Sequence, residues 1–275
     1  MGEGKSGVID MHTHIWPDKM AGRTVKALQE IAEIPAFSDG TLKGLKECMK
    51  KSGVTLSVIL PVVTKPEQFE TVNKVAAQLS KEPGIISFGG IHPLNDHKKK
   101  KLLQIKELGL KGIKLHPDYQ KTFFDDPSYI EIVKDALNMG LIVSTHAGVD
   151  VGLPSPVHCS PKEINHLYEE LQLGDNVDNK LILAHTGGCD CWEEVLDTVA
   201  GKKVYLDISF TMGRIPDALF LEIVHKHGAD HMVFGTDSPW SSAKETIAWI
   251  KGLPLSKEEK EDLLYRTAGR LLAEY

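Results

Sequence analysis

The chain has 275 residues, with 32 Lys and Arg against 38 Asp and Glu and a formal net charge of −6. This mildly acidic balance excludes the basic footprint of a nucleic-acid binder. No segment approaches the roughly 18 uninterrupted apolar residues of a membrane span, and the start carries no apolar signal-peptide core. The four cysteines, Cys48, Cys159, Cys189 and Cys191, are too few and too scattered for a disulfide framework, so a reduced, cytoplasmic setting is expected.

Short apolar, β-branched runs recur along the chain at 7–12, 54–62, 85–91, 112–115, 141–145, 181–184, 203–208 and 232–235. Their near-continuous apolar character suits strands buried on both faces, as in parallel sheets. Helical patterns lie between them. Residues 67–80 align Phe69, Val72, Val75, Ala76 and Leu79 on one stripe, and residues 128–139 do the same with Ile130, Val133, Ala136 and Leu137. The Lys98 to Lys101 run opens another helical pattern and reads as a solvated face. Pro216 suits a first helical position, and Ser256 followed by Glu259 forms a capping box. Gly109, Gly140 and Gly228 stand where helices should stop. Eight strands alternating with helices predict a single (β/α)8 barrel spanning residues 1–275. The competing architecture is an open doubly wound sheet, whose nucleotide-binding form is disfavoured because no Gly-x-Gly-x-x-Gly follows the first strand.

In such a barrel, function gathers at the C-terminal ends of the strands. Reading those ends in order gives His12 and His14, then Pro61, His92, His116, His146, His185, Asp207 or Ser209, and Asp237. His12 and His14 are two apart on the first strand, so both imidazoles face the same side. Taken singly, each of these residues also reads as a satisfied polar group. Taken together, His12, His14, His146 and Asp237 predict a site for one divalent first-row metal, zinc first, with manganese, iron or nickel as alternatives. Such a metal lowers the pKa of a bound water from about 15.7 toward roughly 7. Asp237 is placed to ligate through one oxygen and take the water's proton with the other. His185, followed by Thr-Gly-Gly, is expected to act on the water or substrate, directly or through a neighbour. His97, His166, His225, His227 and His231 fall on helices or at strand starts and read as surface or packing histidines.

Asp10-Met-His12-Thr-His14, Gly112-Ile-Lys114-Leu-His116-Pro117, Thr145-His146-Ala-Gly148, Ala184-His185-Thr-Gly-Gly188, Phe234-Gly-Thr236-Asp237-Ser-Pro239-Trp240 and the terminal Tyr265 to Leu272 segment together resemble the amidohydrolase superfamily. The nearest branch in pattern is the one that includes aminocarboxymuconate-semialdehyde decarboxylase. The resemblance runs from the first strand to the last helix. It implies a (β/α)8 barrel with a divalent metal, usually zinc, ligated by His12, His14, His146 and Asp237 and assisted by His185. It leaves the reaction open among hydrolysis, decarboxylation and hydration. The short loops tilt the expectation toward hydrolysis of a C–N or C–O bond in a compact anionic substrate. The alternative is non-oxidative decarboxylation of an unsaturated or aromatic acid, and a catalytically silent binding barrel is a third reading.

Around this set, Arg214 is a candidate to grip a substrate carboxylate, and His116, His92 and Trp16 are candidate substrate contacts, with Tyr119 beside them. Lys114 shares the inward parity of His116. In binuclear relatives a carboxylated lysine at this strand bridges two metals, but a barrel-interior ammonium paired with a carboxylate is the expectation here. Cys189-Asp-Cys191 lacks the spacing of a zinc knuckle, so free thiols are expected. The partner expected is a small molecule, with neither nucleic acid nor membrane; self-association is left open.

Overall fold

The computed structural model describes residues 7–174 and 179–273. Its first third runs β1 (Val8–Thr13), α1 (Asp18–Ala32), α2 (Leu42–Ser52), β2 (Val54–Ile59), α3 (Phe69–Leu79), β3 (Ile85–Ser87) and β4 (Gly89–Gly90). The middle adds α4 (Lys98–Glu107), β5 (Gly112–Leu115), α5 (Pro117–Gln120), α6 (Pro127–Asn138), β6 (Ile142–Thr145), α7 (Pro161–Glu170) and β7 (Leu181–Leu183). The chain finishes with α8 (Trp192–Thr198), β8 (Tyr205–Asp207), α9 (Asp217–His227), β9 (Met232–Val233), α10 (Ala243–Gly252), α11 (Lys257–Glu261), a π-helical turn (Asp262–Arg266) and α12 (Thr267–Ala273).

All strand pairs are parallel, in the orders β1-β2-β3 and β4 through β9. The expected third strand, 85–91, is split at Phe88, whose N–H still donates to the Ile59 carbonyl at 2.9 Å and carries the stave across the break. The split has a local cause. Asn73 of α3 donates to the Gly90 carbonyl (2.8 Å) and accepts from its N–H (3.0 Å), taking groups that would otherwise pair in the ladder. A side chain at Gly89 would meet the Asn73 Oδ1 atom, so the close approach requires glycine there.

The last and first staves meet without a long ladder. Met11 N–H bonds the Phe234 carbonyl (2.9 Å), Asp237 N–H the His12 carbonyl (2.8 Å) and His14 N–H the Ser238 carbonyl (2.7 Å). Asp10 clamps the same seam, accepting from Thr236 N–H at 3.1 Å and Thr236 Oγ1 at 2.7 Å. The fold is thus the expected eight-stave barrel, its third stave drawn as two short strands.

Two apolar layers hold it. Ile113, Leu115, Val143, Leu181, Leu183 and Leu206 face outward into the helices. Met11, Val58, Phe88, Ile142, Ile182 and Val233 fill the lower barrel interior, closed from below by Ala268, Leu271 and Leu272 of α12. Only the upper end of the interior is left for polar groups. The Ser256–Glu259 capping box is present, and Gly109, Gly140 and Gly228 all take positive φ. Pro216 is the residue before α9 rather than its first. No described helix is long and apolar enough to cross a membrane.

Candidate metal centre and its cavity

The upper end of the barrel is a cavity of about 350 Å³ with imidazoles and carboxylates on its floor, within the usual size range of small-molecule sites. His12, His14 and Asp237 come together there. His12 Nε2 lies 3.1 Å from His14 Nε2, and Asp237 Oδ1 lies 3.4 Å from the first and 3.1 Å from the second.

The partners behind these atoms fix their protonation. His14 Nδ1 donates to the Leu60 carbonyl at 2.8 Å, and His12 Nδ1 donates to Asp207 Oδ2 at 2.9 Å. In each neutral ring the proton is therefore on Nδ1 and the lone pair on Nε2. Two lone pairs and a carboxylate oxygen thus face one point, with the Lys114 ammonium 3.3 Å from His12 Nε2, and a cation among them would relieve their mutual repulsion. Carboxylate-to-histidine support of this kind is how proteins orient metal ligands. The donor set fits a divalent metal of the zinc or manganese type.

Burial would push the Asp237 carboxyl up, but His12, His14 and His185 outweigh it and hold the group below the usual carboxylate range. Asp207, equally buried, is held down in the same sense by His12, His185 and the Ser209 hydroxyl. Burial lowers His12 to about 4, with the Lys114 charge adding to the effect. Both floor carboxylates are accordingly ionised, and the His12 ring is neutral, at neutral pH.

Asp237 (φ 57°) and His185 (φ 59°) sit in the left-handed region, a cost of order 1–3 kcal/mol for such residues. Seam and floor hydrogen bonds hold them there: Asp237 N–H to His12 O at 2.8 Å, and Thr186 N–H to Asp207 O at 2.6 Å. A Cβ at Gly235 would stand 2.9 Å from the His12 Cβ, so the last stave can pass behind the ligand only as glycine.

His146 lines the same cavity but is not part of the His12–His14–Asp237 triad. It groups with His116 and Asp150. Its ring stacks on His116, centroids 4.3 Å apart and 10° from parallel, and its Nδ1 is 2.9 Å from His185 Nε2. His185 Nδ1 in turn lies 3.1 Å from the Ser209 carbonyl, which can only accept, so His185 donates there and receives from His146 Nδ1. His146 is left with a lone pair on Nε2, a buried atom with no partner. That unpartnered atom fits a ligand role for His146. Both ring nitrogens of His185 are engaged, which places His185 behind His146.

Lys114 is buried with its Nζ 3.3 Å from His12 Nε2, and burial brings it down to about 8. It is an interior ammonium, as expected, but its partner is the imidazole; no carboxylate of the described residues stands within ion-pair distance. His116 and Trp16 line the cavity, His116 with its Nε2 3.4 Å from Asp150 Oδ2, and Tyr119 stands against the His116 ring. Two candidates are corrected. Arg214 donates to Asp190 Oδ2 at 2.5 Å and lies over the Phe210 ring; Phe210 rather than Arg214 faces the cavity. His92 is buried at the rim, where its Nδ1 accepts from Leu94 N–H at 3.1 Å, and it does not line the cavity. All four cysteines are free; Cys189 reaches the cavity wall, and burial raises it to about 12. Of the residues in the two clusters, Asp150 carried no signal in the sequence beyond being a carboxylate in a loop after a strand. Asp207 was visible as a strand-end carboxylate, though its support of His12 was not.

The sequence profile of the amidohydrolase family matches residues 9–273. No curated protein matches the chain significantly in sequence. Among solved structures, an uncharacterized TIM-barrel protein from Bordetella bronchiseptica superposes with a TM-score of 0.76 at 19% identity, covering 97% of this chain and 98% of the other. A dihydroxybenzoic acid decarboxylase from Polaromonas, with bound manganese and 2-nitroresorcinol, gives 0.68 at 14% identity over 96% of each chain. A protein from Pseudomonas putida assigned as a 2-pyrone-4,6-dicarboxylic acid hydrolase gives 0.64 at 18% identity over 98% of each.

Proposed function

The chain belongs to the amidohydrolase family, in its amidohydrolase-2 branch, and on that premise we propose that it is a divalent-metal-dependent hydrolase acting on a C–N or C–O bond of a compact anionic substrate. His12, His14 and Asp237 would hold the cation, and His146 would offer its unpartnered Nε2 from across the floor. When bound, the cation supplies Lewis acidity that polarises a carbonyl and makes water a nucleophile near neutral pH.

The observation that carries the reading is Asp237 at the floor of a largely apolar cavity, its Oδ1 3.4 Å from His12 Nε2 and 3.1 Å from His14 Nε2. An ionised carboxylate there accepts a proton from the attacking water and returns it to the leaving group. His185 keeps His146 in the tautomer that exposes Nε2, and Asp207 does the same for His12. The apolar walls exclude bulk water and strengthen each charge on the floor. Those walls also favour a second reading, decarboxylation of an unsaturated or aromatic acid, which is the activity named for the Polaromonas neighbour.

One experiment tests both. Metal-loaded protein is screened against paired amide, lactone and carboxylic-acid panels in ¹⁸O-labelled water, with Asp237→Asn and His185→Asn controls. Label in the product, lost in Asp237→Asn, is the expected result. Release of CO2 without label assigns the lyase reading instead, and turnover by chelator-treated, metal-free protein refutes both.

A further inference from the structure

We infer that the substrate carries a single anionic or carbonyl head and an otherwise apolar body of about one ring. This names the substrate class for the site proposed above and rests on that reading. The inference comes from where the charges stand. Every imidazole lining the cavity, together with Lys114 and Asp237, belongs to the floor cluster. Above the floor the walls are mainly Trp16, Leu28, Ile34, Val149, Val151 and Trp240, with Thr24, Thr64 and Tyr119 as the hydroxyl-bearing residues. Among the described residues no arginine lines the cavity, and Arg214, which lies over the lining residue Phe210, is committed to Asp190. The remaining carboxylate, Asp150, faces His116.

A second carboxylate on the substrate would therefore lie against mostly apolar side chains with no cation among the described lining residues above the floor, which is unfavourable. Size sets the other limit. A dry cavity of about 150 Å³ already holds a benzene, so about 350 Å³ takes a ring with a few substituents and no more. A Cβ at Gly152 would lie 3.7 Å from both Ile31 and Ala32, so about one methyl group's room separates α1 from the loop after β6 there.

The test is equilibrium binding, followed by tryptophan fluorescence and calorimetry, of benzoate, cyclohexanecarboxylate and terephthalate to the cation-loaded protein. Both monocarboxylates are expected to bind, and terephthalate at least tenfold more weakly. Leu28→Arg and, independently, Ile34→Arg each place a cation on the half-buried wall, with folding confirmed by thermal unfolding. Each is expected to shift the ratio toward terephthalate by at least tenfold. Equal binding of terephthalate and benzoate by the unaltered chain overturns the inference. So does an unchanged ratio in both arginine variants, or a lack of binding by either monocarboxylate. Cation content is measured on the same protein samples. A failure of the metal reading then registers separately, as absent cation uptake.

Discussion

Replacing Asp207 by Asn probes how the floor makes a ligand of His12. Asp207 is 1% exposed and accepts four hydrogen bonds: from His12 Nδ1 at 2.9 Å on one oxygen, and on the other from Ser209 N at 2.9 Å, His185 N at 3.3 Å and the Ser209 hydroxyl. An amide keeps the shape but has one oxygen and one NH2. Three donors hold the oxygen on the Ser209 side, which turns the NH2 toward His12 Nδ1. That nitrogen must then present a lone pair, and the ring proton moves to Nε2, where the cation would bind. Loss of a carboxylate supporting a metal-bound histidine costs 10–100-fold in affinity, about 1.4–2.8 kcal/mol. The assay is competition for zinc or manganese against a fluorescent chelator, with thermal unfolding of cation-free protein as the folding control. A folded Asp207→Asn protein whose affinity is unchanged would refute the tautomer argument.

Other expectations concern charge, pH and backbone. Arg214→Ala should change KM less than twofold, since it removes a partly exposed ion pair of about 0–1 kcal/mol outside the cavity; a tenfold rise would return Arg214 to the site. Burial lowers His12 and His227 to about 4, and His92, His116 and His146 also fall below the ordinary imidazole value. A histidine lowered in the folded state contributes stability that is present above about pH 6.5 and lost as pH falls toward its folded value, by about 1.4 kcal/mol per unit for each. Asp10, raised to about 7 by burial, and Asp118 act in the opposite sense but are outnumbered. Cation-free protein in chelator should therefore lose urea resistance from pH 7 to pH 5, and a flat profile would contradict these shifts. Gly148→Ala puts a Cβ into the Cys189 backbone at φ 81°; a loss of more than about 2 kcal/mol is expected, and an unaltered melting temperature would show that the loop yields freely.

The barrel was legible because its staves are apolar runs of the right number and its helices carry stripes and stop signals. The floor was legible in part. His12, His14 and Asp237 each end a strand, and strand ends in this fold point to one rim, so their convergence followed from the topology. His146 ends a strand too, yet its ring turns to His116 and His185, because χ angles and stacking are decided by neighbours far away in sequence. Arg214 was misplaced for a related reason. Its loop position was right, but Asp190 on the adjacent loop takes the guanidinium first, and pairing between two loops leaves no periodic trace. The break at Phe88 depends on a single asparagine of α3 reaching Gly90, which no strand propensity records.

Asp10 and Thr236, which tie the barrel seam, are 226 residues apart, and the ligands His12 and Asp237 flank them. A nascent polypeptide leaving the ribosome consequently has half of its chelating set exposed long before the other half has been synthesised. A cation site built from both ends of the chain is therefore complete only in molecules whose two ends have met.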